Sequence, residues 1–147
     1  MARHYPSMAA DARALATYMK LLRAGESVSR EANRPLALYE LTPSQFGVLE
    51  ALDRVGPQCL SDLARQIVKS SGNLTLVVRN LDRRGLVRRS PGRKDRRFTA
   101  VALTAKGRAV IRSIFPGHAA GIVAAMSRLT AKEQESLGSL CRKLEGM

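Results

Sequence analysis

The chain has no tryptophan, and its three tyrosines and three phenylalanines leave only 4% of 147 residues aromatic. Proteins that read RNA usually stack bases on aromatic platforms, so this shortage leans away from that class. There are two cysteines, Cys59 and Cys141, with neither metal-ligand spacing nor a disulfide framework. The two histidines stand 114 positions apart, at His4 and His118, and offer no clustered metal ligands. No phosphate-gripping glycine loop, nucleophile–base constellation or paired carboxylates occur, so neither an enzyme nor a cofactor or metal is expected. No apolar run approaches membrane-spanning length, and "MARHYPSMAADARALATYMK" lacks the apolar core of a signal peptide. A reducing cytoplasmic setting without a membrane partner is expected.

Acidic residues are also scarce, 12 against 25 lysines and arginines, for a net charge of +13. Such a field calls for a polyanion: nucleic acid first, an anionic membrane surface second, a merely solubilising surface third. The excess is not spread evenly. Between Ser61 and Arg97 there are 11 basic residues and 3 acids, so a quarter of the chain holds more than half of the net charge. The densest stretch is "RRSPGRKDRR", residues 88–97, with six basic side chains and one acid.

The pattern predicts the element order α-α-α-α-β-β-α-α. Met8, Ala12, Leu15, Met19 and Leu22 form one stripe of a first helix that Pro35 stops. Thr42, Pro43 and Gln45 make a capping box for a second helix ending before Gly56. "QCL" is short and extended. Ser61 is the expected cap of a short helix and Ser70 that of the next, which runs to about Arg84 before Gly85. Two short helices around a tight polar turn make a helix-turn-helix candidate. Strands "LVRRS" (86–90) and "RRFTAVALT" (96–104) flank the turn "PGRKD", with Pro91-Gly92 as its turn chemistry. A long helix follows Thr104, with Val110, Ile111, Ile114, Ile122 and Met126 on its stripe and a kink expected at Pro116. Thr130 and Glu133 box a last helix carrying Leu137, Leu140, Cys141 and Leu144.

On the second helix of the pair, Leu74, Val77, Val78 and Leu81 converge at i, i+3, i+4 and i+7. Gly72, Thr75, Leu76, Arg79 and Arg83 take the opposite side, with Ser71 and Asn73 at the N-terminal flanks. A small, hydroxylic and basic face of this kind suits base edges in a major groove, and Leu76 suits a thymine methyl. A basic hairpin immediately after it can reach along the duplex as a wing. Arg93, Lys94, Arg96 and Arg97 would then contact phosphates, and one arginine would enter the minor groove. Asp95 reads either as the partner holding a neighbouring arginine or as an ordinary turn residue.

With these segments in order, the chain resembles the MarR family of bacterial winged helix-turn-helix transcriptional regulators over about Met8 to Leu144. "LTPSQFGVLEAL", "LSDLARQI", "SSGNLTLVVRNLDRRGLVRR" and "LTAKEQESLGSLCRKL" carry the likeness. The most specific part is Asp95-Arg96-Arg97 followed by Val101, Leu103, Thr104 and Gly107. The resemblance implies one domain over 1–147 that is mainly α with a small β-hairpin wing. Residues 42–103 would form the DNA-binding lobe, and 8–34 with 104–145 a helical dimerisation region. It further implies a cytoplasmic, nucleoid-associated homodimer that represses a palindromic double-stranded operator and lets go when a small-molecule effector binds. Arg97 would match the minor-groove arginine, with Arg96 the second choice. Tyr39, Phe46 and His118 lie on segments lining the effector cleft in similar proteins, although ordinary packing accounts for each. Peroxide-sensing relatives carry a cysteine near the start of the first helix, where this chain has none; Cys59 and Cys141 read as inert buried thiols. The rival to a ligand-responsive repressor is a constitutive, architectural binding protein without sensing.

Overall fold

The computed structural model describes residues 8–67 and 73–146. They form α1 (Met8–Asn33), a 3-10 helix (Arg34–Tyr39), α2 (Pro43–Val55), β1 (Gln58–Cys59), α3 (Leu60–Gln66) and α4 (Leu74–Arg83). There follow β2 (Val87–Pro91), β3 (Thr99–Leu103), α5 (Ala105–Met126) and α6 (Ala131–Leu144). The fold is therefore mostly helical, with one small antiparallel sheet in the order β1-β3-β2. The chain divides into two compact units. One comprises the start of the chain to Ala32 together with Ala119 onward; the other is Asn33–His118.

In the second unit, α2 begins as its capping box predicts. The Gln45 amide donates to Thr42 Oγ1 at 3.2 Å, and the Thr42 amide donates to Gln45 Oε1 at 3.0 Å. The helix turns Phe46, Val48, Leu49 and Leu52 into a core completed by Leu63, Val78, Leu81, Val101, Ile111 and Ile114. Ser61 is not a cap. Helix α3 starts at Leu60 directly after the strand pairing of Gln58 and Cys59, so Ser61 already lies in its first turn. The expected cap Ser70 lies outside the described residues; Asn73 stands at the N-cap of α4 without a side-chain cap bond. Pro35 ends α1 as predicted, but the chain continues into the 3-10 turn, which its Arg-Pro-Leu-Ala-Leu-Tyr sequence does not announce.

The wing's turn is wider than its sequence suggests, because β3 begins only at Thr99 and leaves Arg96, Arg97 and Phe98 in the loop. Pro91 is not in the turn but pairs with Thr99, and the loop closes through the Gly92 amide on the Phe98 carbonyl at 2.7 Å. A Cβ at Gly92 would meet the Asp95 carbonyl at 2.5 Å, which explains the glycine there. Beyond the sheet, Thr104 caps α5 by accepting from the Gly107 amide at 3.0 Å, while its hydroxyl donates to the Gly85 carbonyl at 2.6 Å.

In the first unit, Gly121 of α5 lets the end of α1 approach: a Cβ there would sit 2.7 Å from the Glu31 carbonyl. Arg128 closes the contact on Glu31 at 2.7 Å. Thr130 and Glu133 form the expected box at the start of α6. The stripes of α1 and α6 are not buried within the chain: Leu15, Met19, Leu22, Leu140 and Leu144 are all exposed.

Helix α5 corrects one expectation. Over 22 residues, with a mean hydropathy of 1.4 in its most apolar window, it is long and apolar enough to cross a membrane by length and composition alone. Its alanines, together with scattered isoleucines and valines, raise the average without forming a continuous apolar block. Its Ile111 and Ile114 are sealed in the second unit's core.

Among the described glycines, Gly107 leaves the least room for a Cβ. A Cβ there would lie 1.9 Å from the Leu86 carbonyl oxygen, and that backbone cannot yield as a side chain would. Gly107→Ala is expected to destabilise the chain by about 3 kcal/mol, the upper range for overpacking. Urea denaturation measures this; a loss below about 0.5 kcal/mol, the level of a surface substitution, would contradict the packing described.

Candidate nucleic-acid interface

Helix α4 is amphipathic by construction. Val78 and Leu81 are fully buried, while Leu74 and Val77 pack partly against the same core. Because those four positions occupy one side, Thr75, Leu76, Arg79 and Arg83 are exposed on the other, with Asn73 exposed at the N-terminal end. Ser70, Ser71 and Gly72, assigned to the same face by sequence, lie outside the described residues.

The C-terminal end of α4 is fastened in three ways. Gly85, at φ +74°, adopts the left-handed conformation, with its amide on the Asp82 carbonyl and the Leu86 amide on Leu81, both at 2.9 Å. The Arg84 guanidinium donates to the Tyr39 and Glu40 carbonyls at 2.8 and 2.9 Å. Arg89 of β2 donates to Asp82 of α4 at 2.8 Å, tying wing to helix. Sequence reasoning missed these roles of Arg84, Arg89 and Asp82. Within a run of arginines, nothing local separates a structural guanidinium from a free one.

The wing separates its charges likewise. Asp95 accepts from the Arg97 amide at 3.0 Å and from the Arg97 guanidinium at 2.7 and 3.1 Å. Arg97, not Arg96, is thus the arginine held by Asp95. Its guanidinium holds the Asp95 carboxyl below the ordinary 3.8, and the carboxylate raises Arg97 in return. Arg93, Lys94 and Arg96 are exposed and form no ion pair with any described residue; the same holds for Arg79, Arg83 and Arg88. The sequence of the 33–118 unit carries 16 basic and 6 acidic residues, and Arg79, Arg83, Arg88, Arg93, Lys94 and Arg96, without an ion pair to any described residue, lie on α4 and the wing.

Phe46 is buried, its ring centroid 4.5 Å from that of His118, which also lies 6.4 Å from Phe115. Tyr39 packs half-buried at the core edge. Neither cysteine is fully buried, contrary to expectation. The Cys59 thiol donates to Asp62 at 3.1 Å and lies 3.0 Å from the Ser61 hydroxyl. That thiol, and then Arg65, hold the Asp62 carboxyl below its ordinary value.

Known proteins share this fold. The model of the MarR family matches residues 41–99. The uncharacterized HTH-type transcriptional regulator YkoM of Bacillus subtilis (strain 168) is 37% identical over 131 residues, covering 89% of this chain and 85% of the relative. A MarR variant of E. coli, crystallised with operator DNA, superposes with TM-score 0.81 at 23% identity, covering 90% of this chain and 95% of that one. BpsR of Bordetella bronchiseptica, whose DNA binding is regulated by 6-hydroxynicotinic acid, gives TM-score 0.79 at 24% identity, covering 100% and 99%. At those identities the two structures attest the fold.

The Asp95–Arg97 pair has a direct spectroscopic consequence. A carboxyl lowered in the folded state keeps its pair through the neutral range and loses it as pH falls through the lowered value. By NMR titration, Asp95 should titrate below 3.8 in the parent chain and move back toward that value in Arg97→Ala. An identical titration in the two proteins would show that the pair does not form.

Proposed function

The chain belongs to the MarR family of transcriptional regulators, not enzymes, and we propose that it is a homodimeric repressor of a palindromic operator, released by a small aromatic effector. The observation that carries this reading is the open face of α4, small and hydroxylic toward its start and basic toward its end, beside a wing of unpaired cations. Asn73, Thr75, Leu76, Arg79 and Arg83, with Ser70, Ser71 and Gly72 before them, read base edges in the major groove. Arg93, Lys94 and Arg96 neutralise phosphates. Asp95 positions Arg97 for the adjacent minor groove, where the negative potential is strongest.

Dimerisation is supported by apolar surface that the chain does not cover. Leu15, Val123, Leu140 and Leu144 are 60–73% exposed, on helices that sequence assigns to the 8–34 and 104–145 dimerisation region. Residues 42–103 form the DNA-binding lobe, and a regulator of this kind works in the cytoplasm on the nucleoid. Effector control is supported by BpsR; Tyr39 and His118, the latter stacked near the buried Phe46, are the aromatic side chains assigned to such a ligand.

Base reading and phosphate holding separate experimentally. In selections from random duplex DNA, the parent chain should prefer its operator over random sequence by about 10³ or more at physiological salt; an architectural protein would show no such preference. Arg79→Ala should relax base preference at one position of each half-site. Arg93→Ala or Lys94→Ala should weaken all duplexes evenly and reduce the salt slope by about 1. A base preference untouched by Arg79→Ala would refute the placement of α4. In sedimentation, Leu140→Glu should shift the dimer toward monomer; an unchanged dimer would remove α6 from the interface.

A further inference from the structure

The corner between α4 and β2 is clasped from two sides. Toward α5, three successive carbonyls are all taken. Lys106 Nζ donates to Arg84 at 3.0 Å, Thr104 Oγ1 to Gly85 at 2.6 Å, and the Thr104 amide to Leu86 at 3.2 Å. Gly107 closes the contact, since a Cβ there would strike the Leu86 carbonyl. Toward the 3-10 helix, the Arg84 guanidinium donates to the Tyr39 and Glu40 carbonyls at 2.8 and 2.9 Å. The last carbonyls of a helix have no partner within it, and a cation suits that negative end. The planar guanidinium serves two such acceptors at once, which a single ammonium does less well.

Arg84 grips an anchored segment. Leu36 and Leu41, on either side of the gripped carbonyls in sequence, are buried in the core. Glu40 stands at φ +52°, the one non-glycine at positive φ among the described residues. That conformation is costly for a residue with a Cβ. It persists with the Glu40 amide on Ala37 at 3.2 Å and the Glu40 carbonyl on Arg84. Along the chain, both anchors continue into segments proposed for dimerisation: the 3-10 helix follows α1 directly, and α5 runs on to Met126.

We propose that Arg84 and Lys106 are positioning residues that set how strictly the two α4 helices of a dimer demand one spacing between half-sites. The inference rests on the palindromic-operator reading above. Neither side chain has to touch DNA for this role. One extra base pair between half-sites moves one of them by about 3.4 Å and turns it by about 35°. A corner clasped on both sides resists a turn of that size, whereas a corner held by packing alone yields to it.

The test uses the full chain and duplexes carrying its selected half-sites at the selected spacing, and with one or two base pairs added or removed. The parent chain should bind the selected spacing at least about tenfold more tightly than any altered one. Arg84→Met keeps the stem and removes both carbonyl bonds; Lys106→Met frees the Arg84 carbonyl. Each should cut the spacing preference to about threefold or less, with Arg84→Lys between Arg84→Met and the parent. Loss of folded protein lowers binding to every duplex alike, so this ratio reads position rather than stability. The salt slope should stay at the parent value, because a side chain that held a phosphate would lower it by about 1 on removal. A slope lowered by that amount in Arg84→Met makes Arg84 a phosphate contact and overturns the proposal. Should Arg84→Met fail to fold, Lys106→Met, at an exposed position, decides alone. A selective parent with equally selective variants overturns the proposal and leaves the palindromic reading standing. A parent indifferent to spacing loses that reading, and the proposal falls with it.

Discussion

Burial of Val78 and Leu81 fixes everything outside them. Both side chains are fully enclosed in the core that α2, α3, β3 and α5 share, and truncating one such residue typically costs several kcal/mol. A helix held that firmly along one side has no freedom to turn its other side inward. Thr75, Leu76, Arg79 and Arg83 are therefore displayed because their neighbours in sequence are anchored. Display of an exposed leucine and two unpaired arginines is an odd use of a solvated surface and an ordinary use of a recognition surface.

The wing repeats this logic with charge in place of packing. Of its six cations, two are spoken for: Arg89 by Asp82 and Arg97 by Asp95. These exposed pairs add little to stability, but they set geometry, joining strand to helix and holding one guanidinium in pose. Arg88, Arg93, Lys94 and Arg96 form no ion pair with any described residue, which supports the salt-sensitive grip on a polyanion proposed for the wing. Mutual repulsion among them is tolerated because the hairpin beneath is closed by backbone bonds and by the close approach of Gly92 and Gly107.

What was legible in the sequence followed from local rules. Both capping boxes, the i, i+3, i+4, i+7 stripe of α4 and the left-handed Gly85 are each set within a few residues, and the structure contains all of them. The misreadings came from tertiary context. Ser61 lost its cap because strand pairing of Gln58 and Cys59 with β3 sets where α3 begins. Pro91 joined the strand because the turn closes seven residues wide, through bonds to Asp95 and Phe98 that no dipeptide signal encodes. Arg84 and Arg89 looked like footprint and proved to be fasteners, since their acceptors lie elsewhere in the fold. On the candidate interface, sequence separated the inward from the outward side of α4 but left open which wing arginine Asp95 holds.

Insertion of α4 among base edges is the claim on which the rest hangs, and guanine N7, which faces only the major groove, reports on it directly. Dimethyl sulfate footprinting of the chain on its selected duplex measures that atom. Protection of guanines in two patches about one helical turn apart, roughly 10 base pairs, is the predicted result. A duplex held at low salt with every guanine still fully reactive would mean that only phosphates are being gripped, and would contradict it.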